Sequence, residues 1–308
     1  MARVAASPIA LVPPVRTRKR TLYSAWTPYL FLVPFFVIFI PFGAATVLGA
    51  VAIGFVYWEI GGDIEFVGLQ NFTFVLRDSV FQIALWNTLR MFLGYIVILV
   101  PLAMVIAVAL NRPNLACRRT FQVVYFLPIT MSLIVVAMVF DLLYDERAGV
   151  LNAFLTWIGG PRIRWLEDPS VAPWSIIALR VWRVVGYYAV ILYAGLQSIP
   201  SELYEAAAID GANGLQRFRH ITLPLLRPVT LFVIVAASIA AWELFAEPYV
   251  LTEGGPARST LTAVMYIYRQ AFLSFDLGRG AAAAAILAVA IIAVTILQVR
   301  FLRGDHDA

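Results

Sequence analysis

Two sets of residues in this 308-residue chain can do chemistry. The first is a polar run, Tyr204 to Pro224, where Glu205, Asp210, Arg217 and Arg219 stand among Ala206, Ala207, Gly211 and Ala212. Charged groups beside small residues suit recognition, because alanine and glycine let another surface approach closely. The second set is scattered through apolar sequence. Arg180 and Arg183 are three apart, and Glu243 and Glu247 are four apart, so each pair is expected to share a helix face. Tyr187, Tyr188, Tyr193 and Trp242 carry flat rings that can stack on a solute. Ionisable groups at membrane depth are costly and point to function by default. The same charges can instead pair with each other, and the same rings can simply pack. Other chemistries find little to work with. His220 and His306 are far apart and Cys117 is alone, so no metal site, disulfide or catalytic triad is expected. The only lysine, Lys19, follows no glycine-rich loop that would cradle phosphates, so the chain is not expected to hydrolyse ATP.

The elements that must position these residues are membrane spans. The chain is 62% hydrophobic and 13% charged, against about 25% charged in ordinary soluble domains. Six apolar runs are near the roughly 20 residues that a spanning helix needs. They cover about 28–57, 81–110, 121–144, 171–198, 228–249 and 280–300. The first is too long for a signal-peptide core and follows a basic tail, 1–27. Of the 23 basic residues, 13 fall in or at the edge of segments 1–27, 111–120, 199–227 and 301–308. The longer loops 58–80, 145–170 and 250–279 hold seven. The bias places both ends and the polar run in the cytoplasm. The net charge of +5 is therefore read as topology and not as nucleic-acid binding. A short helix is expected at Val150–Ile158, ended by Gly159-Gly160-Pro161, and Trp58, Trp157, Trp165 and Trp174 suit an interfacial belt. The reading is one all-α membrane domain, 28–302, with a C-terminal tail at 303–308.

Within the cytoplasmic loop 200–224, Ser201 is the expected N-cap of a first helix, and Glu202 and Glu205 lie in its first turns. Asp210-Gly211 breaks it, Asn213 caps a second helix through Arg217 and Phe218, and Leu223-Pro224 closes the element. Leu215 and Phe218 are the apolar anchors of a knob. Such a knob suits a partner's groove, or an amphipathic connector lying on headgroups.

This segment resembles the EAA motif of bacterial ABC importer permeases, through Glu205, Ala206, Ala207, Asp210, Gly211, Ala212, Phe218, Leu223 and Pro224. The stretch Leu251-Thr252-Glu253-Gly254-Gly255-Pro256 and the run Tyr266 to Phe272 are similar to the outer loop of carbohydrate-type permeases, maltose and glycerol-3-phosphate importers among them. That family usually has glycine where Glu253 stands. The resemblance implies the type I importer fold with six spans and both termini cytoplasmic, in the bacterial inner membrane. It implies a second permease subunit as a heterodimer partner. It implies two ATP-binding subunits, or a homodimer of one, that carry ATP and Mg and clamp the coupling loop. It also implies an extracytoplasmic binding protein that delivers a sugar or polyol. For an anionic solute, Arg180 and Arg183 would be the phosphate partners. An ion-coupled secondary transporter would need acids at the midplane and no docking loop. A membrane enzyme would need a catalytic cluster, and none is evident.

Overall fold

The computed structural model describes residues 26–58, 62–112 and 115–303. The expected tails, apart from Trp26 and Thr27 at one end and Arg303 at the other, lie outside the described residues. By internal contacts the chain divides into a first unit, 1–49, and a second, 50–308.

The first unit is helical. Helix α1 (Thr27–Phe39) contains Pro34 and passes into a π-helical turn, Ile40–Ala44, that holds Pro41 as its second residue. Proline deprives the preceding turn of an amide, and one wider turn absorbs the gap without ending the helix. Helix α2 (Ala45–Ile53) follows, so the apolar run extends over Tyr29–Ile53.

In the second unit, strands β1 (Val56–Tyr57) and β2 (Glu65–Phe66) pair antiparallel, and α3 (Gln70–Arg77) leads to the long helix α4 (Ser79–Leu110). Asp78 caps α4 by accepting from the Val80 amide at 2.8 Å. Helices α5 (Arg118–Thr130) and α6 (Leu133–Tyr144) come next, then α7 (Val150–Trp157) and α8 (Ala172–Gln197). The core is the seam between α4 and α8. Met91, Tyr95, Leu99, Ala103 and Ala107, four apart, are buried on one face of α4. Val185, Ala189, Leu192 and Leu196 are buried on α8. Lipid is as apolar as leucine, so close packing at small residues must hold such helices together. Gly186 of α8 is the tightest case, because a Cβ there would fall inside the van der Waals radius of the Tyr125 carbonyl oxygen on α5.

Among the described residues, four helical runs are long and apolar enough to cross a membrane, and two bent pairs make six if each crosses as one span. Two of the expected straight spans need correction. The third is broken at Met131-Ser132, where α5 and α6 meet at 98°. Met131 is extended there, so α5 ends at Thr130 and the chain restarts at Leu133. The fifth, expected over 228–249, is helix α12 (Arg227–Trp242) only, and the chain restarts as α13 (Ala246–Thr252). Helix α14 (Ala263–Tyr268), a π turn (Arg269–Leu273) and α15 (Leu277–Arg303) complete the chain. Between α8 and α12 lie α9 (Ser201–Ile209), α10 (Gly214–Arg217), a π turn (Phe218–Thr222) and α11 (Leu223–Leu225).

Candidate functional site

The loop between α8 and α12 is built by two interlocking local devices. At the end of α9 the Gly211 amide bonds to the Ala208 carbonyl at 3.1 Å, and the Ala212 amide bonds to the Ala207 carbonyl at 2.9 Å. This crossed pair requires a left-handed residue at the corner, and Gly211 takes φ +79°. Two residues on, Asn213 and Gln216 close a capping box. The Gln216 amide donates to Asn213 Oδ1 at 2.9 Å, and the Asn213 amide donates to Gln216 Oε1 at 2.8 Å. The cap role expected of Asn213 is therefore present, with Gln216 as a reciprocal partner that the sequence reading overlooked. Ser201 does not cap α9. It lies inside the first turn with Pro200 before it, and Glu202 is the acidic residue of that turn. Replacing Asn213 with alanine should cost about 1 kcal/mol of local stability. Faster hydrogen exchange at the Gln216 amide would report it.

The knob presents a defined surface. Ile209 is 88% exposed and Leu215 is 75% exposed, one on each side of the Gly211 corner. Phe218, expected as an outward anchor, is half-buried and packs into the core seam, while Tyr204 Oη and Thr222 Oγ1 tie the two arms at 3.0 Å. Ile209 is an outward apolar residue that the sequence reading did not single out, because it reads as an ordinary helical residue. Glu205, Ala206, Asp210, Leu223 and Pro224 face outward, whereas Ala207 and Ala212 are half-buried. The first arm carries Glu202, Glu205 and Asp210, and the second carries Arg217 and Arg219. A cleft of about 350 Å³ lies against the corner, lined by Ala207, Asp210, Gly211, Ala212 and Arg217 among others.

The residues expected along a solute path do not form one lining. Arg180 pairs with Glu247, Nη1 to Oε1, at 2.6 Å, and its other terminal nitrogen donates to the Ala240 carbonyl at 2.6 Å. Arg183 is half-buried and takes no part in that pair. Glu243 and Glu247 do not share a helix face, because the helix ends between them. Glu243 is exposed and Glu247 is buried. Trp242 is buried against Phe92, with centroids 5.5 Å apart. Tyr188 and Tyr193 are buried, and Tyr187 alone of these rings is exposed. Tyr193 Oη accepts from Gln197 Nε2 at 2.5 Å and closes one end of an apolar groove of about 430 Å³ between α5 and α8.

The outer turn is tightly fastened. Glu253 has φ +49° and Gly254 has φ +88°, and the Gly255–Pro256 bond is cis. A left-handed Glu253 accounts for the glycine usual at that position in the resembling family. Asn87 of α4 donates to the Arg258 carbonyl at 2.7 Å and the Leu261 carbonyl at 3.1 Å, and the Thr260 hydroxyl donates to the Gly255 carbonyl at 2.7 Å. In the loops after α6, hydrogen bonds from the Ala148 and Arg147 amides hold Asp145 below the usual carboxylate range. The hydroxyl and amide of Ser170 do the same for Asp168.

Residues 99–304 match the family described as binding-protein-dependent transport system inner membrane component. The arabinooligosaccharides transport system permease protein AraP of Bacillus subtilis (strain 168) is 34% identical over 275 residues, covering 89% of this chain and 87% of that protein. The lactose transport system permease protein LacF of Rhizobium radiobacter is 39% identical over 220 residues, covering 70% of this chain and 74% of that protein. A chain of a bacterial alginate ABC transporter, solved in complex with an alginate pentasaccharide-bound periplasmic protein, superposes with a TM-score of 0.77 at 23% identity. That alignment covers 90% of this chain and 94% of the other.

Proposed function

The chain belongs to the family of binding-protein-dependent transport system inner membrane components, and on that premise we propose that its cytoplasmic knob is the surface on which partner ATPases act. The protein is a permease subunit of an ABC sugar importer in the inner membrane. Both termini and the 200–224 loop face the cytoplasm. A second permease subunit supplies the other half of the pathway. Two ATP-binding subunits, or a homodimer of one, hydrolyse ATP, and an extracytoplasmic binding protein delivers the solute. The solute is a sugar or related polyol. Arg180 is engaged at both terminal nitrogens, which speaks against it as a phosphate partner. Of the path candidates, Arg183, Tyr187 and Glu243 stay open to solute.

The observation that carries this reading is the knob itself. It has a rigid corner, two exposed aliphatic residues and charged arms, set directly between α8 and α12 of the core. ATPase closure on the knob displaces α12, and the spans rock between inward-open and outward-open. Coupling between sites is reciprocal, so solute delivery outside favours closure inside. The test replaces Gly211 with valine, which cannot adopt φ +79° without strain, and Glu205 with lysine. Both variants should lose ATPase co-purification and uptake together. Uptake that continues unchanged with the ATPases detached would refute the reading.

A further inference from the structure

A helix that stops inside an apolar layer leaves carbonyls without amides, and protein groups must satisfy them. Two such carbonyls lie at the break between α12 and α13. After Trp242 the Leu244 amide bonds to the Ala241 carbonyl at 3.3 Å, so the Ala240 carbonyl loses the amide it would meet in a continuing helix. Arg180 Nη2, reaching across from α8, donates to that carbonyl at 2.6 Å. The Leu244 carbonyl receives the Thr262 hydroxyl at 2.7 Å, and the same hydroxyl oxygen caps α14. Arg180 Nη1 meets Glu247 Oε1 at 2.6 Å, in the first turn of α13, where a carboxylate is favoured by the helix dipole. The guanidinium also lies 5.4 Å from the centroid of the Tyr95 ring on α4. The side chains of Arg180 and Glu247 are 15% and 2% exposed. One side chain therefore holds the end of one helix and the start of the next.

This break has a particular place in the chain. The cytoplasmic knob runs into one end of α12, and the turn at Glu253–Pro256 follows α13 at the other. A displacement applied to the knob reaches the outer turn through α12 only if the break transmits it. We propose that Arg180 is a positioning residue of the transport cycle: its staple makes α12, the break and α13 move as one body, linking the cytoplasmic knob to the outer turn. This rests on the importer reading above.

A buried ion pair by itself says little about stability, and two well-packed apolar residues often replace one without loss of the fold. That separates a structural role from a positioning role. The experiment uses the whole importer, with partner permease, ATPases and binding protein, reconstituted in vesicles. It compares wild type, the double variant Arg180→Leu/Glu247→Leu, and Arg180→Lys. The readouts are co-purification, basal ATP hydrolysis, and the stimulation of hydrolysis by sugar-loaded binding protein. The double variant should assemble and keep basal hydrolysis, but its stimulation should fall roughly fivefold or more, the lower range of an allosteric coupling. Lysine keeps a charge opposite Glu247 but cannot fork to the Ala240 carbonyl, so Arg180→Lys should fall between. Wild-type stimulation in the assembled double variant overturns the proposal. If that variant fails to assemble, unchanged stimulation in Arg180→Lys overturns it instead. A wild-type complex whose hydrolysis ignores the binding protein overturns the importer reading, and the staple with it.

Discussion

Alanine in place of Gly186 should cost the protein its folded transmembrane core. The added Cβ would collide with the Tyr125 carbonyl oxygen, and Tyr125 Cβ lies 2.9 Å away. A backbone carbonyl inside a helix cannot swing aside as a side chain does, so α5 must separate from α8. Overpacking ordinarily costs about 1–3 kcal/mol, and a clash with backbone belongs at or beyond the upper end. Separation would also open the groove that Tyr193 and Gln197 close. The expected result is a fall in the thermal unfolding midpoint in detergent, with a matching loss of protein recovered from membranes. An unchanged midpoint in Gly186→Ala would mean that the α5–α8 crossing is looser than described.

The second large effect belongs to the knob. Aspartate at Ile209 or Leu215 should leave the fold intact, because both side chains stand in solvent and surface changes usually stay within about 0.5 kcal/mol. Docking should suffer severely. An apolar anchor that enters a partner's cleft carries about 2 kcal/mol or more, so each variant should weaken ATPase binding roughly thirtyfold or beyond. Ala206, which is exposed on the same loop, is the internal control. Serine there changes little volume and should bind within a few-fold of wild type. Measuring ATPase affinity for the three variants in detergent checks the ranking. Equal, weak effects at all three positions would remove Ile209 and Leu215 from the interface.

The knob was legible because its signals are local. Asp210-Gly211 marks a corner and Asn213 marks a cap, both within a few residues of what they determine. The spans were legible for a similar reason, since lipid demands long apolar runs. The breaks were not. Residues 130–132 read Thr-Met-Ser and 243–245 read Glu-Leu-Phe, with no glycine or proline at either site. The break after Trp242 exists because Arg180, 60 residues away from Ala240 in sequence, and Thr262, 18 residues from Leu244, satisfy the carbonyls it exposes. No local pattern encodes partners at that distance. The same blindness paired Glu243 with Glu247 on one face, when the true partner of Glu247 is on another helix. Ile209 was overlooked for the opposite reason. Periodicity marks an apolar residue as inward, and only the corner at Gly211 turns this one out.

The order of charges around that corner has a consequence beyond attachment. Acids precede the glycine and bases follow it, so the surface has a front and a back. On the docking proposed above, a motor protein with the complementary order would be accepted in one sense only, since the reverse insertion would bring like charges together. Bacteria that run many importers in one membrane face a sorting problem, with several motors competing for similar permeases. Under that same proposed docking, a motor with the wrong sign pattern would meet like charges before the aliphatic residues could seat.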